Sequence, residues 1–306
     1  MSIITEEMKF RHRLCEYAIK NGVTKAARRY HTNRQLKKYN GNIKSLALGS
    51  RKPHTSPNAH TEEELILIKN MLKKHGSYGL AQVYVSCKNK GYNRSFGSMC
   101  RIIRKKKYVA VKKYKKSYQK YNVIEVNYPG EKVQVDIKYI PNECIKFNSK
   151  GIRYYQITAI DEYSRKRVLK FVKEKSTYET SKYIKELERA IGFKIETIQV
   201  DNGYEFVNDK DVTDRESAFE KSVKMLGMKL RRIRPYSPWQ NGKVERSHRE
   251  DGKILYSRKE FRSEEELIEN VKRHERLYNN TAKTVLNFKS PNEVVREYFT
   301  KVKKEA

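Results

Sequence analysis

Apolar positions along the 306-residue chain keep two rhythms, and the change falls near residue 131. Before it they recur at helical spacing. Phe10, Leu14 and Tyr17, with Ala18 beside them, mark one face of a helix over residues 5–21, stopped by Asn21-Gly22. Thr24 is placed to cap a short second helix carrying Ala26, Ala27 and Tyr30, and Thr32 a third beginning Asn33-Arg34-Gln35. A Pro- and Ser-marked stretch, Ser50 to Pro57, reads as a linker. Thr61-Glu62-Glu63-Glu64 then has the form of a capping box, opening a helix with Leu65, Ile68, Met71 and Leu72 inward. A further helix is expected from Ser77-Tyr78-Gly79-Leu80 to Gly91-Tyr92. Another is expected from Ser95 to Lys107, with Met99, Ile102 and Ile103 inward and Arg94, Arg101 and Arg104 outward. Two helix-turn-helix-like units follow from this pattern.

After residue 131 the alternation becomes that of strands. Lys132–Ile140, Arg153–Asp161 and Arg165–Val172 predict three consecutive strands, Lys194–Val200 a fourth and Met228–Ile233 a fifth. Helices are expected at Thr177–Ile191, capped by Ser176, and at Glu216–Leu226. A loop and helix follow over Pro238–Leu255, and closing helices over 263–280 and 290–303. The order βββ-α-β-α-β-α predicts an α/β fold with a mixed sheet, its first and fourth strands adjacent. The expected domains are 1–52 and 58–122 (all-α, the second ending in a basic linker), 123–260 (the sheet) and 261–306 (a helical extension).

Charge sharpens the division. The net charge is +32, and residues 1–122 carry 29 Lys or Arg against 6 Asp or Glu. Such an excess is the electrostatic footprint of a nucleic-acid binder. Residues 104–120 interleave basic residues, Lys105 and Lys106 among them, with Tyr108, Tyr114 and Tyr118, a mixture suited to phosphates and bases. The four cysteines form no Cys-x-x-Cys pair and complete no zinc pattern with the histidines, so free thiols in a reducing compartment are expected. No secretory signal is evident, and no apolar run reaches the roughly 20 residues of a membrane span. A cytoplasmic protein without membrane contact is the expectation.

Three acidic residues carry the candidate chemistry. Asp136 lies in Val-Gln-Val-Asp-Ile, Asp201 ends Ile-Gln-Val-Asp before the turn Asn202-Gly203, and Glu245 follows in Trp-Gln-Asn-Gly-Lys-Val-Glu-Arg. Two carboxylates on strands and one on a helix are what a two-metal phosphoryl-transfer site needs. Carboxylate oxygens suit Mg²⁺ or Mn²⁺, and two ions roughly 3.5–4 Å apart can serve both the attacking and the leaving oxygen. Lys243 and Arg249, with Gln240, Asn241 and His248, are candidate substrate contacts. Trp239 is expected to pack or to touch a base, and Asp161 to order a strand turn with Ser164 or Arg165.

Gln-Val-Asp136, Val-Asp201-Asn-Gly-Tyr-Glu-Phe and Arg234-Pro-Tyr-Ser-Pro-Trp-Gln-Asn-Gly-Lys-Val-Glu245-Arg together resemble the three catalytic blocks of integrase-core, DDE-type insertion-sequence transposases, relatives of retroviral integrases. The resemblance spans nearly the whole chain. It implies a ribonuclease-H-like core behind two helix-turn-helix modules, and two divalent ions held by Asp136, Asp201 and Glu245. It also implies double-stranded DNA as partner: the element's terminal repeats are cleaved and their 3′-hydroxyls joined to target DNA. By analogy the protein is a homo-oligomer on paired ends, bacterial and nucleoid-associated. The spacing between Asp201 and Glu245 exceeds the family's usual one, with Val207–Ser217 as the extra length. Gly252 stands where many relatives carry a basic residue, with Arg249 and Lys253 nearby. The first helix-turn-helix looks short of a full recognition helix after Gln35. These departures keep two other readings open: a decayed or repurposed DNA-binding protein, and a nuclease that cuts without joining.

Overall fold

A computed structural model describes residues 4–31, 39–47, 58–109, 125–208, 213–235 and 237–305. Two compact units divide the chain, Met1–Ala59 and His60–Ala306.

In the first unit α1 spans Glu6–Asn21, and the Thr5 hydroxyl accepts from the Met8 amide at its start. Its inward face is Met8, Leu14, Cys15 and Ala18, whereas Phe10 stays exposed, so the buried stripe is rotated from the expected one. The second helix, α2, spans Val23–Arg29. Gly22, at φ +88°, makes the turn, so Thr24 lies inside α2 and does not cap it. The third helix expected from Thr32 and the linker at Ser50–Pro57 lie outside the described residues.

The second unit opens with three helices, α3 (Glu62–His75), α4 (Leu80–Lys88) and α5 (Phe96–Lys105). Thr61 and Glu64 close the capping box that the sequence announced. Ile68, Val83, Cys87, Tyr92, Met99 and Ile103 form this module's own core. Arg94 precedes α5, and its Nε donates to both Glu64 oxygens, at 2.8 and 3.0 Å, tying the start of α5 to the start of α3. Arg101, Arg104, Lys105 and Lys106 are exposed on or just after α5. The basic, tyrosine-rich run continues beyond the described residues from position 110.

Five strands form one mixed sheet: β1 (Lys132–Tyr139), β2 (Tyr155–Asp161), β3 (Arg167–Val172), β4 (Thr197–Val200) and β5 (Lys229–Arg232), in the order β3-β2-β1-β4-β5. The hairpin-linked β1, β2 and β3 are antiparallel, while β4 joins β1 and β5 joins β4 in parallel after helical crossovers. This is the α/β, ribonuclease-H-like arrangement expected. Strand alternation separates two environments. Val133 and Val135 enter a core with Ile184, Leu187 and Ile191 of α6 (Thr177–Ile191) and Phe219 and Val223 of α7 (Ala218–Met225). Full burial of each such side chain contributes about 1.5–3 kcal/mol. Gln134 and Asp136, one position out of phase, turn to the opposite face. There lie α8 (Gly242–Asp251), a π-helical turn over Gly252–Tyr256, and α9 (Glu264–Asn279). Leu255, Tyr256, Leu267 and Val271 make a second core on that side. The chain closes with α10 (Pro291–Glu305). No helix among the described residues is long and apolar enough to cross a membrane.

Candidate active site

The triplet Gln-Val-Asp occurs twice, at 134–136 and 199–201, on neighbouring parallel strands. The pairing sets Gln134 opposite Gln199, so the same register carried two residues further sets Asp136 beside Asp201 at the carboxyl ends of β1 and β4. The repeat thus builds two layers. The glutamine layer holds the third block in place. Nε2 of Gln134 and of Gln199 donate to the Gln240 carbonyl at 3.0 and 2.8 Å. Oε1 of Gln134 accepts from the Lys243 and Val244 amides, each at 3.1 Å. No side chain of its own caps α8. The sheet caps it instead, fixing where the helix bearing Glu245 begins.

The aspartate layer is anionic. Asp136 Oδ1 accepts from the Ile137 amide at 2.8 Å, and Asp201 Oδ1 from the Gly203 amide at 3.0 Å. Burial, followed by the charge of Asp201 and then of Glu205 and Glu245, pushes Asp136 up to about 7. Asp201 is raised as well, by burial and by Glu205, against the Gly203 amide and the field of Lys175. Half-buried carboxylates that repel one another form a site that gains from a cation. The hard oxygen donors fit Mg²⁺ or Mn²⁺.

Glu245 reaches Asp136 only through its field, more weakly than Asp201 or Glu205 does. Among the described residues no three of His, Cys, Asp and Glu are gathered closely enough to hold an ion together. The fold therefore brings the three expected carboxylates into one electrostatic neighbourhood with two of them adjacent.

Other groups complete the surroundings. Glu205, only 6% exposed, is paired with Lys175 at 2.8 Å. A Cβ on Gly203 would stand 2.6 Å from the Glu205 carboxylate, so only glycine lets that acid fold back beside Asp201. His248 Nδ1 lies 3.4 Å from Asp136 Oδ2, and burial drives this imidazole down to about 4 against the pull of Asp251. Its Nε2 is buried without a hydrogen bond. Expected as a phosphate contact, His248 instead lies against the carboxylate.

Lys243 also turns inward, with its ammonium paired to the buried Glu162, which Lys132 holds from the other side at 2.7 Å. Arg249 is exposed on α8. Trp239 is 55% exposed. Asp161 staples its turn as expected, accepting from the Ser164 amide and hydroxyl at 2.7 and 2.6 Å and from the Gly130 amide at 2.9 Å.

Further along α8 lies a cluster absent from the sequence reading. Arg167, fully buried on β3, donates from Nη1 to Asp251 at 2.6 Å and to Ser247 at 2.7 Å. His274 of α9 contacts the same Asp251 oxygen at 2.8 Å, and Gln156 of β2 donates to the other at 2.9 Å. Burial alone would raise Asp251, but Arg167 and then His274 outweigh it and hold the carboxyl well below its usual range. These residues lie up to 118 positions apart, and each alone looks like a surface polar or charged residue. By contrast, the twin Gln-Val-Asp triplets were visible, with strand periodicity enough to put each glutamine on its aspartate's face.

A five-stranded mixed sheet in the order β3-β2-β1-β4-β5, with helices against it, is a ribonuclease-H-like fold. Two family models, each described as an integrase core domain, match residues 126–238 and 226–282, together just over half of the chain. The chain belongs to the integrase-core, DDE-type family. Among solved structures it is similar to a chain of the simian T-cell lymphotropic virus intasome in complex with the PP2A regulatory subunit B56 gamma. That likeness has 16% identity, 74% coverage of each chain and a TM-score of 0.44. No curated protein matches it significantly.

Proposed function

We propose that this protein is a DNA transposase. It binds the terminal repeats of a mobile element, cleaves phosphodiester bonds there and joins the 3′-hydroxyl ends to target DNA by two-metal-ion transesterification. The observation that carries the reading is the parallel pairing of β1 with β4, which brings the half-buried Asp136 and Asp201 to neighbouring strand ends, where the charge of Asp201 acts on Asp136. The integrase-core match and the +32 charge support it.

In this reading Asp136, Asp201 and Glu245 would hold the Mg²⁺ or Mn²⁺ ions. Such ions would activate the attacking oxygen and stabilise the leaving one. Gln134 and Gln199 position the start of α8 and so the approach of Glu245. Glu205, held by Lys175, adds negative charge beside Asp201. Arg101, Arg104, Lys105, Lys106 and Arg249 meet DNA phosphates, as exposed cations on a basic protein do. Arg94 and Lys243 contribute to the frame, each having an internal carboxylate partner. Residues 1–52 and 58–122 act as end-binding modules, and a homo-oligomer holds the paired ends.

A strand-transfer assay with a pre-cut element end, target duplex and Mg²⁺ tests this. Joined product is expected. Cleavage without joining would indicate a nuclease, and binding alone a decayed DNA-binding protein; either would overturn the proposal.

A further inference from the structure

Behind α8, on the side turned away from Glu245, a cavity of about 410 Å³ opens between the three-helix module and the sheet unit. Its walls hold four cations, Arg165, Lys243, Arg246 and Lys283, against one carboxylate, Glu250. Two of the four are accounted for. Lys243 is paired with Glu162, and Arg246 lies 3.6 Å from Glu250. Among the described residues the other two make no ion pair with a carboxylate, although the fields of Glu162 and Asp161 favour the charge on Arg165 and that of Glu250 the charge on Lys283. Arg165 donates to the Glu162 carbonyl. Lys283 rests its ammonium 3.5 Å above the Tyr278 ring, whose other face is covered by Arg167 at 3.7 Å.

Burial, followed by the positive fields of Arg167, Arg246 and Arg165, brings Lys283 down to about 8 in spite of Glu250. Cations crowded around a recess are stabilised by an anion placed among them. The recess is also held in shape. The Ala282 amide donates to Gln82 Oε1 of α4 at 2.7 Å, and Phe288 packs on Tyr84 and Phe96. The first turn of α4, which lines the cavity at Leu80 and Ala81, has no side-chain cap and adds its positive end to the same space.

We propose that this cavity is a phosphate-binding site in which Lys283 and Arg165 are the charged contacts. The same chemistry serves a DNA backbone phosphodiester or a free phosphate. A DNA phosphate seated there would bridge the helical module and the back of α8. That arm rests on the reading of the protein as a DNA-processing enzyme, whereas the phosphate chemistry does not.

The test uses the full chain and the variants Lys283→Gln, Lys283→Arg and Glu250→Gln, each first checked for wild-type-like melting. Duplex binding is measured across a salt series, and inorganic phosphate binding by calorimetry. If the source is DNA, Lys283→Gln lowers the slope of log K against log salt by about 0.9, on all sequences alike, and Lys283→Arg restores it. Asp136→Asn leaves that slope unchanged, which separates this site from the catalytic one. If the source is free phosphate, inorganic phosphate binds the wild type, roughly tenfold more weakly to Lys283→Gln and more tightly to Glu250→Gln, while the DNA slope stays fixed. A folded Lys283→Gln protein with unchanged slope, together with a wild type silent to inorganic phosphate, would overturn the proposal.

Discussion

Two acids flank the helix that carries Glu245, and the protein treats them in opposite ways. Asp251, at the end of α8, is enclosed by Arg167, His274 and Gln156 and stays charged well below its usual range. Asp136, half-buried beneath α8 against His248, has a backbone amide and an imidazole for company, with Asp201 beside it, and rises to about 7. A buried carboxylate completed from within is a structural tie. One that faces another carboxylate is what the proposed cation site would use.

The largest expected effect falls on the incomplete acid. Asp136→Asn should reduce end joining by roughly a thousandfold or more, because it removes a charge the reacting phosphate region depends on. DNA affinity measured by gel shift should remain. Joining at the wild-type rate would erase the distinction between the two acids.

The converse substitution belongs to the complete one. Arg167→Met leaves Asp251 buried without its main partner and should destabilise the fold by about 3–5 kcal/mol, read from denaturant unfolding. Replacing Asp251 with an apolar residue as well should recover much of that loss. A neutral single substitution would mean the buried pair ties nothing.

A third effect separates the acids by pH. The folded-state value of Asp136 lies above the ordinary 3.8, so the folded protein holds that proton more tightly than the unfolded chain does. Its contribution to stability is full below about 4, is lost as pH rises through about 7, and is flat beyond. Asp251 has the opposite sign: its contribution is full above the ordinary value and is lost as pH falls through its depressed folded-state value. Without divalent metal, Asp136→Asn should melt with less decline between pH 5 and pH 8 than the wild type does. An identical decline in both would assign the pH dependence elsewhere.

Smallest is the effect of the outer surface. Lys105→Ala with Lys106→Ala should weaken duplex binding uniformly and lower the salt slope by about two charges, without changing the pH behaviour of either acid.

The same contrast explains what the sequence disclosed. Strand alternation at Val133-Gln134-Val135-Asp136, and its echo at Gln199-Val200-Asp201, put the catalytic candidates on one face before any coordinates, because a period of two leaves little choice. The capping residue Ser176 and the Thr61–Glu64 box likewise announced their helices locally. Arg167, Asp251 and His274 gave no such signal. Their meaning lies in a meeting of β3, α8 and α9 that no local spacing records. Lys243 and Arg94 show the limit from the other side. A basic residue near a catalytic block or a recognition helix looks like a DNA contact until Glu162 or Glu64 is found against it. Thr24 failed as a cap because Gly22, with its positive φ, turned the chain two residues earlier.

The central claim is that Asp136, Asp201 and Glu245 share divalent ions. Mn²⁺ titration followed by electron paramagnetic resonance, on the full chain with and without a pre-cut DNA end, tests this most directly. The account predicts two bound ions per protomer in the wild type with DNA, and loss of at least one in Glu245→Gln and in Asp136→Asn. Wild-type protein that binds no Mn²⁺ with DNA present, or Glu245→Gln protein that binds it unchanged, would contradict it.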